Sequence, residues 1–371
     1  MHDKNYRTLI INPKTNSTVI ALFQLSVCIF KDTLEHDTSF YHAEDNKAEA
    51  KERARQIVTH IKQAGINLSK IDAIGANGGL LRPLIGGTYK VSQTMLEELI
   101  EQKHGIHASN LGAIIANDIA VDLNISAYIV DPPVVNELSA FAKVTGLPGI
   151  ERKSIFHALN QKYVARQAAE QMKLTYEKAY LIVAHIGRGI TIGAHENGRV
   201  IDVNNGLHGD GPFSIERAGT IPSEGLINLC YSGVFTQKEL IEEITYQGGL
   251  QAYLHTDNMI EIENRMMRGD TLAKHIVSAM AFQIAKEIGS MAAVLRGHVD
   301  GIVLTGHQIK STFLSEQIME QVNWIADVFI YPGEYDLFAL NEGVLRILKD
   351  QEVVKNYEEV SEGEYPHDEG V

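Results

Sequence analysis

Leu181–Pro222 reads LIVAHIGRGITIGAHENGRVIDVNNGLHGDGPFSIERAGTIP, and the reading of this stretch decides the fold. An apolar run from Leu181 to Ala184 meets His185, turns through Gly187-Arg188-Gly189 and resumes from Ile190 to Ala194. That pattern is strand, glycine turn and strand. A third run, Val200 to Val203, follows the turn signal Asn197-Gly198, and the segment onward to Pro222 is rich in glycine and carries Asp202, His208, Asp210, Glu216 and Arg217. Loops of this composition line sites. Glycines let main-chain N–H groups face an anion, and a nearby His185 and Arg217 supply charge where phosphoryl transfer develops it. Spacing alone equally allows a tight hairpin with a polar rim.

Working outward, the chain begins with the same pattern: Thr8 to Ile11, the polar turn Asn12-Pro13-Lys14-Thr15-Asn16, then Ser17 to Phe23 and Leu25 to Phe30. Two strand-turn-strand starts about one domain apart indicate a duplicated fold with two lobes. Helices are predicted over Lys47–Ala64, after Ser92, after Ser109, over Glu137–Val144, Ser154–Met172 and Thr271–Arg296, near Ser311–Val322, and after Asp336 as a cap. Strands are predicted at Ile71–Ile74, Ala127–Val130, Gly301–Leu304 and Val328–Tyr331. Asp131-Pro132-Pro133 ends its strand where proline stops the ladder and exposes the carboxylate. Strands alternating with helices give an α/β class. The lobes divide at Gly146–Gly149, giving 1–150, 151–335 and a frayed acidic tail over 350–371, with helix 336–349 returning to the first lobe.

The net charge of −14, from 33 basic and 47 acidic side chains without a dense basic run, argues against nucleic acid or an anionic membrane as partner. No apolar run approaches the roughly 20 residues of a membrane helix, and a cytoplasmic protein is expected. Cys28 and Cys230 lie in apolar surroundings and read as buried thiols, not a bridge. His195, His208 and His307 lack the tight spacing of a zinc site, and His157 reads as a buried histidine inside its helix.

Beyond these patterns, IVDP at Ile129–Pro132, ERKSIFHALNQK at Glu151–Lys162, the block around His185, VIDVNN at Val200–Asn205, GPFS at Gly211–Ser214, Glu216-Arg217 and YPGE at Tyr331–Glu334 together resemble the butyrate kinase family. The likeness spans nearly the whole chain. It implies a two-lobed duplicated actin/Hsp70-like ATPase fold, ribonuclease H-like, with a central cleft for ATP and Mg²⁺ and phosphoryl transfer to a short carboxylate. It further implies roles: Asn12 near metal and phosphates with Ser17 in the same hairpin, Asp131 orienting Mg²⁺, and His185 on the transferring phosphoryl. Arg217 corresponds to a transition-state arginine, Glu334 to a metal-associated carboxylate and His107 to a histidine near the acyl group. Gly187, Arg188, Gly189, Gly306 and His307 fall in the nucleotide loops, and a homodimer or higher homo-oligomer is implied through the second lobe.

The chain departs from that family in its loops. The family's N-P-G-S-T-S-T-K is here Asn12 to Val19, with Lys14 for the glycine and Val19 for the lysine; its G-R-G-G is Ala76-Asn77-Gly78-Gly79, without the substrate arginine. H-L-G-G-G becomes His185-Ile186-Gly187-Arg188-Gly189, L-T-G-G becomes Leu304-Thr305-Gly306-His307, and D-G-E-G becomes His208-Gly209-Asp210-Gly211. Loss of a transition-state arginine costs on the order of 10³–10⁵ in rate. Weak or absent butyrate kinase activity is therefore expected, unless Lys14, Arg188 or Arg82 replaces the lost charge. The alternatives are a catalytically inactive paralogue acting by binding or regulation, and a kinase with a changed phosphate donor or acceptor.

Overall fold

The computed structural model describes residues 4–36, 45–207 and 210–360. His208, Gly209 and the tail from residue 361 lie outside the described residues. The chain forms two compact units, one running to Asn136 and resuming at Tyr335, the other running from Glu137 to Glu334. The passage between them falls at Asn136/Glu137, so the Gly146–Gly149 turn lies inside the second unit.

In the first unit, β1 (Arg7–Pro13), β2 (Ser17–Gln24) and β3 (Val27–Glu35) form an antiparallel meander followed by helix α1 (Asn46–Gln63). Then come β4 (Ala73–Ala76), β5 (Thr88–Lys90), α2 (Gln93–Ile100), α3 (Asn110–Leu123) and β6 (Ser126–Val130). The sheet order is β3-β2-β1-β4-β6-β5, with β1, β4 and β6 parallel. Ser92 caps α2 through the Met95 N–H, whereas Ser109 makes no such bond because its hydroxyl is engaged by His107 Nδ1 at 2.6 Å.

The second unit opens with α4, only Ala140–Lys143, and α5, Ala158–Gln171, both shorter than their apolar periods predict. Residues 154–157 stay outside α5, so His157 sits at its N-cap rather than within it. The strands β7 (Tyr180–Ile186), β8 (Ile190–Glu196) and β9 (Arg199–Val203) follow, then four helices beyond those expected from the sequence: α6 (Ser223–Tyr231), α7 (Gln237–Tyr246), α8 (Gly249–Leu254) and α9 (Met259–Met267). The long α10 (Thr271–Val294), β10 (Gly301–Gly306), α11 (Thr312–Val322) and β11 (Val328–Pro332) complete it. Its sheet order is β11-β10-β7-β8-β9, with β7, β10 and β11 parallel. Read from the meander inward, β9-β8-β7-β10-β11 repeats β3-β2-β1-β4-β6, which is the duplication expected from the two starts. Ile276, Met280, Ile284, Ile288 and Met291 of α10 are buried in this unit's core, where their spacing on one stripe puts them.

Helix α12 (Asp336–Leu348) packs on the first sheet. Gly343 lies so close to Val130 that a Cβ would meet its methyl groups, and Gly75 lies likewise beneath Val344. Asp336 does not cap α12: the N-cap is Tyr335, without a side-chain bond, and the Asp336 carboxylate instead accepts from Asn12 Nδ2 at 3.0 Å. Nor is the chain frayed from Asp350. Lys355 N–H donates to Thr88 O at 2.9 Å and the Tyr357 ring is fully buried, because this segment covers the apolar edge of the first core. Both cysteines are free thiols, yet Cys28 is half-buried and Cys230 exposed, since α6 buries none of its residues.

A buried polar chain runs through the second unit. Gln161 Nε2 donates to Thr191 O at 2.9 Å, so its oxygen faces His195 Nε2 at 3.1 Å, and His195 Nδ1 meets the Tyr176 hydroxyl at 2.9 Å. Burial, with Lys162 nearby, pushes the His195 pKa down from 6.5 to about 3. The unfolded chain thus holds a proton that the folded chain refuses between those values, so this stability is complete above pH 6.5 and is lost as the pH falls toward 3. We expect the stability difference between the protein and His195→Gln to change by about 1.4 kcal/mol per pH unit in that window. Urea unfolding at pH 4.5, 5.5 and 7 measures it; a constant difference would contradict the assignment.

Candidate functional site

In open α/β sheets, ligands bind beyond the carboxyl ends of the parallel strands. The first unit brings three of the expected residues there: Asn12 at the end of β1, Asn77 just after β4 and Asp131 just after β6. The second unit brings His185 at the end of β7, Gly306 and His307 at the end of β10, and Glu334 just after β11. Chain duplication therefore sets polar side chains on equivalent strand ends of both sheets.

Asn12 is buried, and its Oδ1 has no hydrogen-bond partner within the protein. Asp131 differs from expectation. It is buried, with φ of 37°, and its carboxylate accepts from Gly87 N–H at 2.7 Å while its own N–H donates to Gly87 O at 3.0 Å. The two prolines end the strand, but the backbone then turns left-handed and folds the carboxylate inward onto β5's approach. Ser17 is half-buried, and its carbonyl accepts from the Lys14 N–H at 2.7 Å, closing the β1–β2 turn. Asn77 is half-buried, and its own side chain makes only a long 3.5 Å contact with Gly79 N. His107 is exposed, and its Nδ1 accepts from Ser109 N–H at 3.2 Å.

His185 is 1% exposed. Its Nε2 lies 3.0 Å from Glu334 Oε2, and its ring stacks on that of His157 at 3.7 Å between centroids. His157 in turn bonds Thr191 Oγ1 at 2.9 Å. This histidine pair escapes sequence reading because its members, one at a helix start and one at a strand end, meet only when α5 packs on β7. Gly187 is required beside it, since a Cβ would approach His185 Cε1 to 2.8 Å. His185 Nδ1, Asn160 Nδ2, Arg217 Nε and Gln308 Oε1 are buried without protein partners. Unpaired buried polar atoms are costly, and these four, which with Thr245 Oγ1 make five among the described residues of the second unit, fit a polar ligand. Arg217 Nη1 bonds the Gly206 carbonyl, beside Gly189, and burial lowers the pKa of its guanidinium.

Gly306 has φ of +97°, and a Cβ there would collide with the Ile186 carbonyl oxygen. His307, by contrast, sits at φ −69° with its side chain exposed, so the backbone needs no second glycine. The three cations proposed to replace lost charge are each already engaged. Arg188 turns outward to Glu216 at 2.5 Å and Asp257 at 3.1 Å, and bonding to Glu216 raises its pKa. Lys14 Nζ lies 3.5 Å from Asp336. Arg82 lies over the Tyr357 ring at 4.2 Å, donates to Val360 O at 3.1 Å and faces Glu98 at 3.7 Å, so it is packed against the C-terminal segment and does not swing toward Asn77. Among the described residues, no group of three or more His, Cys, Asp or Glu side chains is placed to hold a metal, and no helix is long and apolar enough to cross a membrane.

Residues 141–326, half of the chain, match the model of the acetokinase family. The chain belongs to the acetokinase family. Its fold is similar to that of Porphyromonas gingivalis acetate kinase, with a TM-score of 0.73 at 18% identity, covering 92% of this chain and 99% of that one. A propionate kinase from Francisella tularensis subsp. tularensis SCHU S4 matches with a TM-score of 0.71 at 19% identity, over 91% and 98% of the two chains. Acetate kinase from Entamoeba histolytica gives 0.71 at 16%, over 91% and 98%. These likenesses show the two-sheet α/β fold for this acetokinase-family chain.

Proposed function

We propose that this acetokinase-family chain is a butyrate kinase-like short-chain carboxylate kinase, transferring the γ-phosphoryl of ATP to butanoate to give butanoyl phosphate and ADP, with slow turnover. The observation that carries this reading is the His185 pocket: a buried imidazole stacked on His157 and bonded to Glu334, with an unpaired Nδ1. A carboxylate nucleophile needs no general base, so positioning and charge stabilisation suffice. Slow turnover is supported by Asn77 standing where the related family has arginine, and by the engagement of Lys14, Arg82 and Arg188 elsewhere.

Magnesium takes hard oxygen ligands and keeps several waters. The unpaired Asn12 Oδ1 fits such an ion, with Asp131, one oxygen of which is taken by Gly87 N–H, as a further carboxylate of the same unit; Glu334 is the carboxylate that the second unit offers for this role. When bound with ATP, the ion would neutralise phosphate charge. The nucleotide itself is assigned to Ser17, Gly187, Gly189, Gly306 and His307, with Arg188 bordering it, and the acyl group to His107 and Asn77. Arg217 is assigned to the phosphoryl group.

The test is calorimetry with Mg-ATP, followed on the same protein by acyl phosphate formation from butyrate and isobutyrate. Binding with slow turnover supports the reading. Nucleotide or acyl phosphate binding with no turnover favours the non-catalytic paralogue, which the neutralised cations also support, and absence of binding defeats both. α6 leaves Ile227, Leu229 and Tyr231 exposed, which supports a homo-oligomer. Light scattering that returns only the 41.0 kDa monomer removes that part.

A further inference from the structure

Arg53 lies on α1, far in sequence from every loop discussed above, and is 3% exposed. Its guanidinium is threaded into the β1–β2 turn. Nη1 donates to Lys14 O at 2.9 Å, Ser17 O at 3.2 Å and Thr18 Oγ1 at 3.3 Å; Nη2 donates to Thr15 O at 2.8 Å and pairs with Glu49. From the other side, His36 N–H donates to Asn16 O at 2.8 Å, and His36 Nε2 meets Thr18 Oγ1 at the same distance. Four successive carbonyls of the turn, those of Lys14, Thr15, Asn16 and Ser17, are thus held by groups outside it.

A polar turn that carries Lys14 where the related family has glycine has no intrinsic reason to keep one backbone shape. A planar guanidinium with five fixed donors supplies that reason, and an ammonium cannot reproduce it. The charge of Arg53 is neutralised by Glu49 and shielded from solvent, so it does not meet a ligand directly.

We propose that Arg53 is the positioning residue of the nucleotide-binding hairpin, holding residues 14–18 in the shape that presents Asn12 and Ser17 to the phosphates of ATP. This rests on the kinase reading given above. The test compares the protein with Arg53→Lys and Arg53→Met by amide hydrogen exchange and by Mg-ATP calorimetry. Arg53→Lys keeps the charge and guards against a variant that does not fold. We expect exchange at residues 14–18 to rise at least about tenfold in both variants, with Mg-ATP affinity falling about tenfold, from the loss of charge-assisted bonds. Exchange in α1 and β6 should stay unchanged. Unaltered exchange at 14–18, or a rise spread evenly over the first unit, overturns the proposal and leaves Arg53 a packing residue. If the unmodified protein does not bind Mg-ATP, the kinase reading fails, and the ligand role assigned to Arg53 fails with it. A rise confined to residues 14–18 would then still identify Arg53 as the clamp of the turn.

Discussion

Asn77→Arg raises acyl phosphate formation from butyrate by about 10²–10³-fold, a conservative share of the 10³–10⁵ that an arginine contributes in phosphoryl transfer. Asn77 follows β4 at the carboxyl edge of the first sheet, is half-buried, and makes only a long contact with Gly79 N. Its backbone is fixed, because Gly112 packs directly on the Asn77 carbonyl and Leu80 N–H is held by Asn110 Oδ1 at 2.8 Å. A guanidinium grafted here therefore extends from a rigid loop. Two of the candidates for a substitute would each first have to leave a carboxylate, Arg188 that of Glu216 and Lys14 that of Asp336. The hydroxamate assay on Asn77→Arg and Asn77→Lys decides this, with lysine expected to recover less because it lacks the bidentate fork. If Asn77→Arg binds Mg-ATP as the parent does and is no faster, the missing arginine is not what limits turnover.

His185→Gln lowers whatever acyl phosphate formation the protein supports by about 10²–10³-fold, the loss typical of removing one donor from a charge-stabilising site. The imidazole is buried, stacked on His157 and bonded through Nε2 to Glu334, so its orientation is set before any ligand arrives. Glutamine retains a hydrogen-bonding group of similar reach but not the aromatic face. The loss should therefore appear in kcat, with Mg-ATP affinity changed much less. Equal losses in affinity and kcat would instead make His185 a ground-state contact. Unchanged kinetics would remove it from the chemistry altogether.

Much of this was legible in one dimension because it depends on local periodicity. The strand-turn-strand starts at Thr8 and Leu181, the stripe of α10 and the apolar run of β6 each announce an element through side-chain spacing, and the repeat of the start announces duplication. The helices between Ser223 and Met267 were not legible in the same way. α6 buries nothing, and α7 buries only Leu240 and Thr245, so no inward stripe marks these two, while α8 and α9 are short and bury only a few apolar residues each. Asp131 was misjudged for a related reason. Proline does end its strand, but Asp131 itself turns left-handed, and the N–H that captures its carboxylate belongs to Gly87, 44 residues earlier and just before β5.

The sequence by itself determined the α/β class, the duplicated sheets and which strand ends carry polar side chains, since these follow from pattern and chain order. Only the tertiary structure decided which charges are available. Arg53 reaches a turn some forty residues away, Arg82 is held by Val360 and Tyr357, and His185 finds His157. Such pairings depend on which elements pack side by side, and a hydrogen bond of about 3 Å carries no trace in sequence spacing.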